Sequence, residues 1–200
     1  MNTVNFSDAP HLEATANEIA RAISSGTTRL LLEANGRGAV LLASRVNDLL
    51  GPMTAAQREE VAQRFTGIGM PPTYATDSLR RPFRAPHWTA SYAALCGSRR
   101  RPDYGEVQLA RHGVLLLDQV AEFPRHVVRG LHYKAAGYPL VVIATAGPCP
   151  CSGYHNAKRG CHCTPPMVER YRARVDYACR ALGIQTRIAV PKAQGFELRD

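Results

Sequence analysis

Long apolar runs are missing from this sequence, which argues against one class of protein. No run approaches the roughly 18 consecutive apolar residues that a membrane-spanning helix needs. Residues 1–8 lack the basic and apolar regions of a secretory signal peptide, and the chain shows no internal repeat or low-complexity linker. We therefore expect a cytoplasmic protein with no membrane partner, folded as a single domain over residues 1–200.

Acidic residues are scarce relative to basic ones. The chain has 25 Lys and Arg against 16 Asp and Glu, which gives a formal net charge of +9. Because a guanidinium group donates two hydrogen bonds to phosphate at once, this surplus is compatible with nucleic-acid binding through a basic surface. A merely solvated surface explains it equally well. The arginines that fall in one stretch are Arg80, Arg81, Arg84, Arg99, Arg100, Arg101 and Arg111.

Apolar periodicity predicts alternating helices and strands. Helices are expected at residues 10–25, 39–50, 124–134 and 164–182, and strands at 28–33, 113–118, 138–145 and 184–190. The unbroken apolar runs at 113–118 and 138–145 are typical of parallel strands buried on both faces. The pattern predicts an α/β fold with a doubly wound, mostly parallel sheet and helices on both of its faces.

Four of the six cysteines form two Cys-x-Cys pairs, Cys149 with Cys151 and Cys161 with Cys163, separated by residues 152–160. Four thiolates brought together by a loop suit the closed tetrahedral site of a structural zinc ion. Reducing conditions in the cytoplasm favour metal over disulfides. The sequence thus predicts a zinc loop over residues 147–164, with two disulfides or four reduced thiols as the alternatives.

Several strings occur in a distinctive order. They are residues 81–87 (RPFRAPH), 105–110 (GEVQLA), 113–118 (GVLLLD), 148–151 (PCPC), 161–165 (CHCTP) and 170–171 (RY). Together they resemble the magnesium-chelatase-like AAA+ ATPases, in particular the subgroup of the competence-associated branch-migration helicase. The resemblance covers roughly residues 6–191 and implies a P-loop NTPase (AAA+) fold with ATP and Mg²⁺ as expected ligands.

The phosphate loop implied by the resemblance departs from its pattern. A working loop reads G-x-x-x-x-G-K-[ST], in which the lysine neutralises phosphate and the hydroxyl holds Mg²⁺. Residues 33–40 match this loop in position, but Ala39 replaces the lysine and Val40 replaces the hydroxyl. Gly36 and Gly38 remain, and Arg37 is a candidate substitute cation.

The acid-bearing strand has changed as well. The resemblance assigns Mg²⁺ support to Asp118, but Gln119 stands where the family has the glutamate that polarises water, and an amide cannot accept that proton. Gly147 replaces the asparagine that would place the water and the γ-phosphate. Because phosphoryl transfer depends on positioned charge and metal, these changes predict a nucleotide site without an intact catalytic residue.

Larger parts of the family architecture are not legible either. The resemblance implies that full-length relatives have a protease-like domain ahead of this core, a helical lid behind it and a pore hairpin before the strand at residue 138. We expect none of the three in this sequence. The predicted function is a non-hydrolysing pseudo-ATPase that binds a protein partner, either an AAA+ paralogue or copies of itself in a ring. The alternatives are a weak ATP-binding protein or ATPase of the branch-migration type, and a basic nucleic-acid-binding module.

Overall fold

A computed structural model describes residues 10–34, 38–71, 81–100, 104–151 and 161–191. Its strands are β1 (Arg29–Ala34), β2 (Phe83–Arg84), β3 (Val114–Leu117), β4 (Val141–Ala146) and β5 (Thr186–Val190). The helices within these ranges are α1 (Glu13–Ser24), α2 (Gly38–Leu49), α3 (Ala55–Gly67), α4 (Tyr92–Cys96), α5 (Glu106–Leu109), α6 (Arg125–Ala135) and α7 (Pro165–Leu182). Short 3₁₀ turns occupy Pro10–Leu12 and Val120–Glu122.

The five strands form one parallel sheet in the order β2-β3-β4-β1-β5. β1 lies between β4 and β5, with Leu31 opposite Ala144 on one side and Arg187 on the other. Every residue of β3 and of β4 is buried, as the unbroken apolar runs predicted. All strands therefore end at the same edge of the sheet, where ligands of open α/β sheets bind.

Helices cover both faces of the sheet, which confirms the predicted doubly wound architecture. Because side chains alternate along a strand, Leu30 and Leu32 pack with α1 and α2, whereas Leu31 packs on the opposite face with α6 and α7. The two apolar cores lie on either side of this central strand. Packing in these two cores holds the strands, and with them the carboxyl edge of the sheet, in place.

The predicted helix and strand boundaries agree with the structure to within a few residues. Helix α7 begins after Thr164 with proline in its first turn and ends before Gly183, which adopts a left-handed conformation (φ 68°), as its cap signals predicted. Pro124 is the N-cap residue that precedes α6 and not, as predicted, a residue of its first turn. β4 begins at Val141, later than the expected 138. Among the helices in the described ranges, none is both long and apolar enough to cross a membrane.

Candidate functional site

The first predicted site is the start of α2, where the phosphate loop would join the helix. Gly36 and Arg37 lie outside the described residues, so the structure does not place them. Ala39 is 2% exposed and belongs to the core formed with α1 and β5. Val40 is 37% exposed. Neither side chain offers a cation or a hydroxyl group. Ala39 contributes to the packing of the core.

Gly38 opens α2 close to the carboxyl end of β5. A Cβ added there would meet Val190 Cγ1 at 3.4 Å and Leu12 Cδ2 at 3.6 Å, which is ordinary van der Waals contact. The glycine is therefore not required by a positive φ or by crowding in this structure. Gly38 occupies the position of a phosphate-loop glycine, but its neighbours Val190 and Leu12 are apolar.

The retained acid, Asp118, lies at the end of β3 and is held by a neighbouring strand. Thr145 on β4 donates its hydroxyl to Asp118 Oδ1 at 2.5 Å and accepts the backbone N–H of Gln119 at 2.9 Å. Thr145 is only 5% exposed. Gln119 adopts a left-handed conformation, φ 53° and ψ 58°. The Asp118 carboxylate thus acts as a hydrogen-bond acceptor that links two strands.

The end of β4 is fixed by a second hydroxyl. The backbone N–H of Gly147 donates to Tyr171 Oη of α7 at 3.1 Å. Tyr171 is 3% exposed, and burial raises the pKa of its phenol, so the hydroxyl keeps its proton. This bond directs the chain from β4 toward the first cysteine pair.

The four predicted zinc ligands converge. The Sγ atoms of Cys149, Cys151, Cys161 and Cys163 all lie within 4.8 Å of one another. Cys149 lies 3.4 Å from Cys151 and 3.5 Å from Cys161, and Cys151 lies 3.5 Å from Cys161. Four sulfurs around zinc at a Zn–S distance of about 2.3 Å would be separated by roughly 3.8 Å. The cluster therefore fits a tetrahedral metal ion and could bind one.

Local contacts affect the ionisation of these thiols in opposite directions. The backbone N–H of Cys163 donates to Cys161 Sγ at 3.4 Å. Burial, together with hydrogen bonds to the neighbouring thiols, raises the pKa of Cys149 to about 12, so a metal that binds here must displace its proton. All six cysteines are free. Two disulfides, one of the alternatives drawn from the sequence, do not form in this structure.

The described arginines of the arginine-rich stretch do not form one continuous surface. Arg81 donates to the backbone oxygens of Gly51 and His112 at 2.9 and 2.7 Å. Arg84 forms a two-bond ion pair with Glu106, at 2.5 and 2.8 Å, and Arg111 pairs with Glu60 at 2.8 Å. These three arginines stabilise the fold. Arg99 and Arg100 are exposed, and Arg80 and Arg101 lie outside the described residues.

Comparison with known proteins agrees with this architecture. The family described as "Magnesium chelatase, subunit ChlI" matches residues 10–197. The competence protein ComM of Haemophilus influenzae is 33% identical over 141 residues, which cover 70% of this chain and 28% of ComM. The uncharacterized protein YifB of Escherichia coli is 31% identical over 168 residues, which cover 76% of this chain and 33% of YifB. The chain thus spans about a third of the length of these relatives.

Among solved structures, NtrX from Brucella abortus in complex with ATP is similar over 92% of this chain and 37% of its own, with 17% identity and a TM-score of 0.48. Its ADP complex covers 90% of this chain and 35% of its own, with 16% identity and the same TM-score of 0.48. The family match extends through the sheet, the cysteine cluster and α7. The chain accordingly belongs to the magnesium chelatase ChlI family of AAA+ P-loop proteins.

Proposed function

We propose that this chain is a non-hydrolysing member of its family that acts by binding a protein partner. The observation that carries the proposal is the state of the site at the start of α2. Ala39, a core residue that is 2% exposed, stands where the phosphate-binding lysine would be. The retained Asp118 accepts a hydrogen bond from Thr145. With Gln119 in place of the base, no described group is set to bind the γ-phosphate or to activate water.

The partner in this proposal is an AAA+ paralogue or a second copy of the chain. The sheet and both cores are intact, so the surfaces through which such domains assemble can persist without turnover. ComM and YifB are both about two and a half times as long as this chain, since the 141 and 168 matched residues make up 28% and 33% of them. A silent subunit beside an active relative is the assembly that these features favour.

The cysteine cluster forms a structural zinc site in this proposal. Cys149 and Cys151 would hold the metal from the end of β4, and Cys161 and Cys163 from the segment that leads into α7. Zinc would supply cross-linking and charge neutralisation, not catalysis, because four cysteines leave no open coordination position. The metal-bound cysteine pairs would present a fixed surface to the partner.

The nucleotide part is tested by calorimetric titration with Mg-ATP and by a phosphate-release assay. We expect no saturable heat at millimolar ligand and no release above background. Saturable binding would instead support the alternative of a weak ATP-binding protein, with Arg37 as a substitute cation. Hydrolysis that Asp118→Asn abolishes would contradict the non-hydrolysing role.

The partner part is tested by size-exclusion chromatography with light scattering, with the chain alone and mixed with a full-length active relative. We expect a stable complex whose formation does not require nucleotide on this chain. Failure to co-elute or to self-associate under every nucleotide condition would reject the partner role.

The zinc part is tested by elemental analysis of purified protein. We expect one zinc per chain, and Cys161→Ser should lower this content because Cys161 is one of the four converging thiols. Cys179→Ala is the matched control, since Cys179 lies in the core beside α6 and outside the cluster. Full zinc content in Cys161→Ser would reject the four-cysteine site.

A further inference from the structure

Helix α6 carries cations that have no carboxylate partner among the described residues. Its sequence, RHVVRGLHYKA, contains no acidic residue. Within the described ranges, no salt bridge involves Arg125, Arg129 or Lys134. Two arginines outside this helix are paired instead: Arg174 with Glu122 at 3.1 Å, and Arg187 with Asp176 at 2.8 Å. The positive charge on α6 is therefore available to an anionic ligand.

Arg125 and Arg129 share the outer face of α6, whereas Lys134 lies on another side of the helix and is half-buried. Val127, Val128, Leu131 and Ala135 point into the core. Arg125 and Arg129 are exposed, and their spacing of four residues places them about 6 Å apart along the helix axis. The Arg125 guanidinium lies over the ring of Tyr177, 4.8 Å from its centroid. This contact orients the guanidinium without neutralising it.

Two tyrosines lie on the same surface. Tyr133, one turn beyond Arg129, is 74% exposed, far more than the other large hydrophobic side chains in the described ranges, which do not exceed 40%. Tyr92, at 40% exposure, rests against α6 at Gly130, where its ring leaves no room for a Cβ. A ring as exposed as Tyr133 gains little from the fold and is free to stack on a ligand.

We propose that this surface, formed by Arg125, Arg129, Tyr133 and Tyr92, binds single-stranded nucleic acid. The arginines would contact successive phosphates, whose spacing along a strand is close to one helical turn, and the tyrosines would stack with bases. The proposal depends neither on a bound nucleotide nor on zinc.

Duplex binding fits this surface less well. α6 packs against α4, α5 and α7 as well as the sheet, so only one of its faces is open. A helix must project from the protein to enter a major groove about 12 Å wide. An acidic protein would pair with the arginines but would not need an exposed tyrosine beside them. Flexible single strands satisfy both features.

The test is a fluorescence anisotropy titration with labelled oligothymidylate about 15 nucleotides long. We expect wild-type binding to weaken with salt. The double substitution Arg125→Gln and Arg129→Gln should weaken binding at least about tenfold at low salt and lower the slope of log affinity against log salt by about 1.4, because each phosphate contact contributes about 0.7. The control is the double substitution Arg172→Gln and Arg180→Gln, which removes the same charge from exposed positions on α7.

The tyrosine provides an independent measurement. Tyr133→Ala should weaken binding about tenfold, whereas Tyr133→Phe, which keeps the ring, should bind like wild type. Circular dichroism would check that all variants remain folded, as expected for exposed positions. No wild-type binding at low salt, or equal losses in the α6 and α7 double variants, would overturn the proposal. So would equal competition by polyglutamate together with indifference to Tyr133→Ala, which would indicate an acidic protein ligand.

Discussion

Two buried hydroxyl groups determine how the sheet ends. Thr145 connects β4 to Asp118 and Gln119 after β3, and Tyr171 connects α7 to Gly147 after β4. Each is at most 5% exposed. Because a buried polar group that loses its partner is costly, these residues hold the segment that carries Cys149. We therefore expect the position of Cys149 to depend on a few hydrogen bonds made outside the cysteine cluster.

Substitution of Tyr171 by phenylalanine tests this dependence. Tyr171→Phe keeps the ring in the core but leaves the Gly147 N–H without its acceptor. We expect a loss of about 1 kcal/mol in the free energy of unfolding, measured by urea denaturation, together with weaker metal binding in a competition titration with a chromogenic zinc chelator.

The control for this substitution is Tyr133→Phe, which removes an exposed hydroxyl and should change neither measurement. If Tyr171→Phe lowers stability but leaves zinc affinity at the wild-type value, then the hydroxyl stabilises the core without positioning the cysteines.

At the scale of elements, β2 and β3 are held unusually close at one glycine. Val114 donates its backbone N–H to Pro82 O at 2.9 Å, and a Cβ on the preceding residue, Gly113, would collide with that same carbonyl oxygen. We expect Gly113→Ala to lower the free energy of unfolding by more than about 2 kcal/mol, because backbone atoms cannot yield as a side chain would.

Gly137→Ala is the matched control, since a Cβ there meets nothing within 4 Å. Urea denaturation of both variants compares the two positions. Equal midpoints would mean that β2 moves away from β3 at little cost.

Helix α3 is tied to the segment before β3 by one carboxylate. Glu60 contacts Arg64 at 3.1 Å, Arg111 at 2.8 Å and His112 at 2.7 Å. Burial by itself raises the pKa of Glu60, but hydrogen bonds from His112 and Arg64 and the charge of Arg111 outweigh it, so the pKa is lowered. The folded state therefore favours the ionised carboxylate.

The lowered pKa fixes the sign of a pH dependence. A carboxyl whose pKa is lower in the folded state stabilises the protein above its unfolded pKa, and this contribution is lost as the pH falls through the folded pKa. We expect Glu60→Gln to cost about 1 kcal/mol at pH 7, with allowance for partial exposure. The difference from wild type should disappear in acid.

Urea denaturation across the acid range measures this difference, and Glu59→Gln, on the exposed side of α3, is the control. If the loss in free energy of unfolding caused by Glu60→Gln stays constant down to the lowest pH, then the packing of the Glu60 side chain, and not its charge, holds α3 in place.

Sequence patterns predicted those elements whose signals are local. The buried strands β3 and β4 and the capped helix α7 follow from apolar runs and from Thr164, Pro165 and Gly183. Helix α3 was missed, although Thr54 and Gln57 form a capping box that the sequence displays. β2 has only two residues, too few for any periodicity to appear.

The same distinction holds for the candidate site. The cysteine pairs are legible because each is local, and the structure brings all four together. The bond between Thr145 and Asp118 was not predictable, since it joins residues 27 apart through the register of β3 on β4. The pairing of Arg84 with Glu106 likewise needed the fold, so the arginine stretch looked more available to a ligand than it is.

At the scale of the whole molecule, the cysteine cluster joins parts that already belong to one core. Cys149 is 4% exposed and follows β4, while Cys163 lies just before α7, which packs on the same face of the sheet. A metal bound to all four thiols would cross-link two elements of this core. Its binding free energy would therefore add to the stability of the entire domain.

Removal of the metal tests this coupling. With protein loaded with one equivalent of zinc, we expect an excess of a strong chelator to lower the thermal midpoint by at least about 5 °C, because each kcal/mol shifts a domain of this size by about 2–4 °C. Cys149→Ser should melt at the lower temperature and should not respond to chelator. The measurement is a fluorescence or calorimetric melt under reducing conditions. An equal chelator response in wild type and Cys149→Ser, or no response in either, would show that the cluster does not stabilise the domain through a metal.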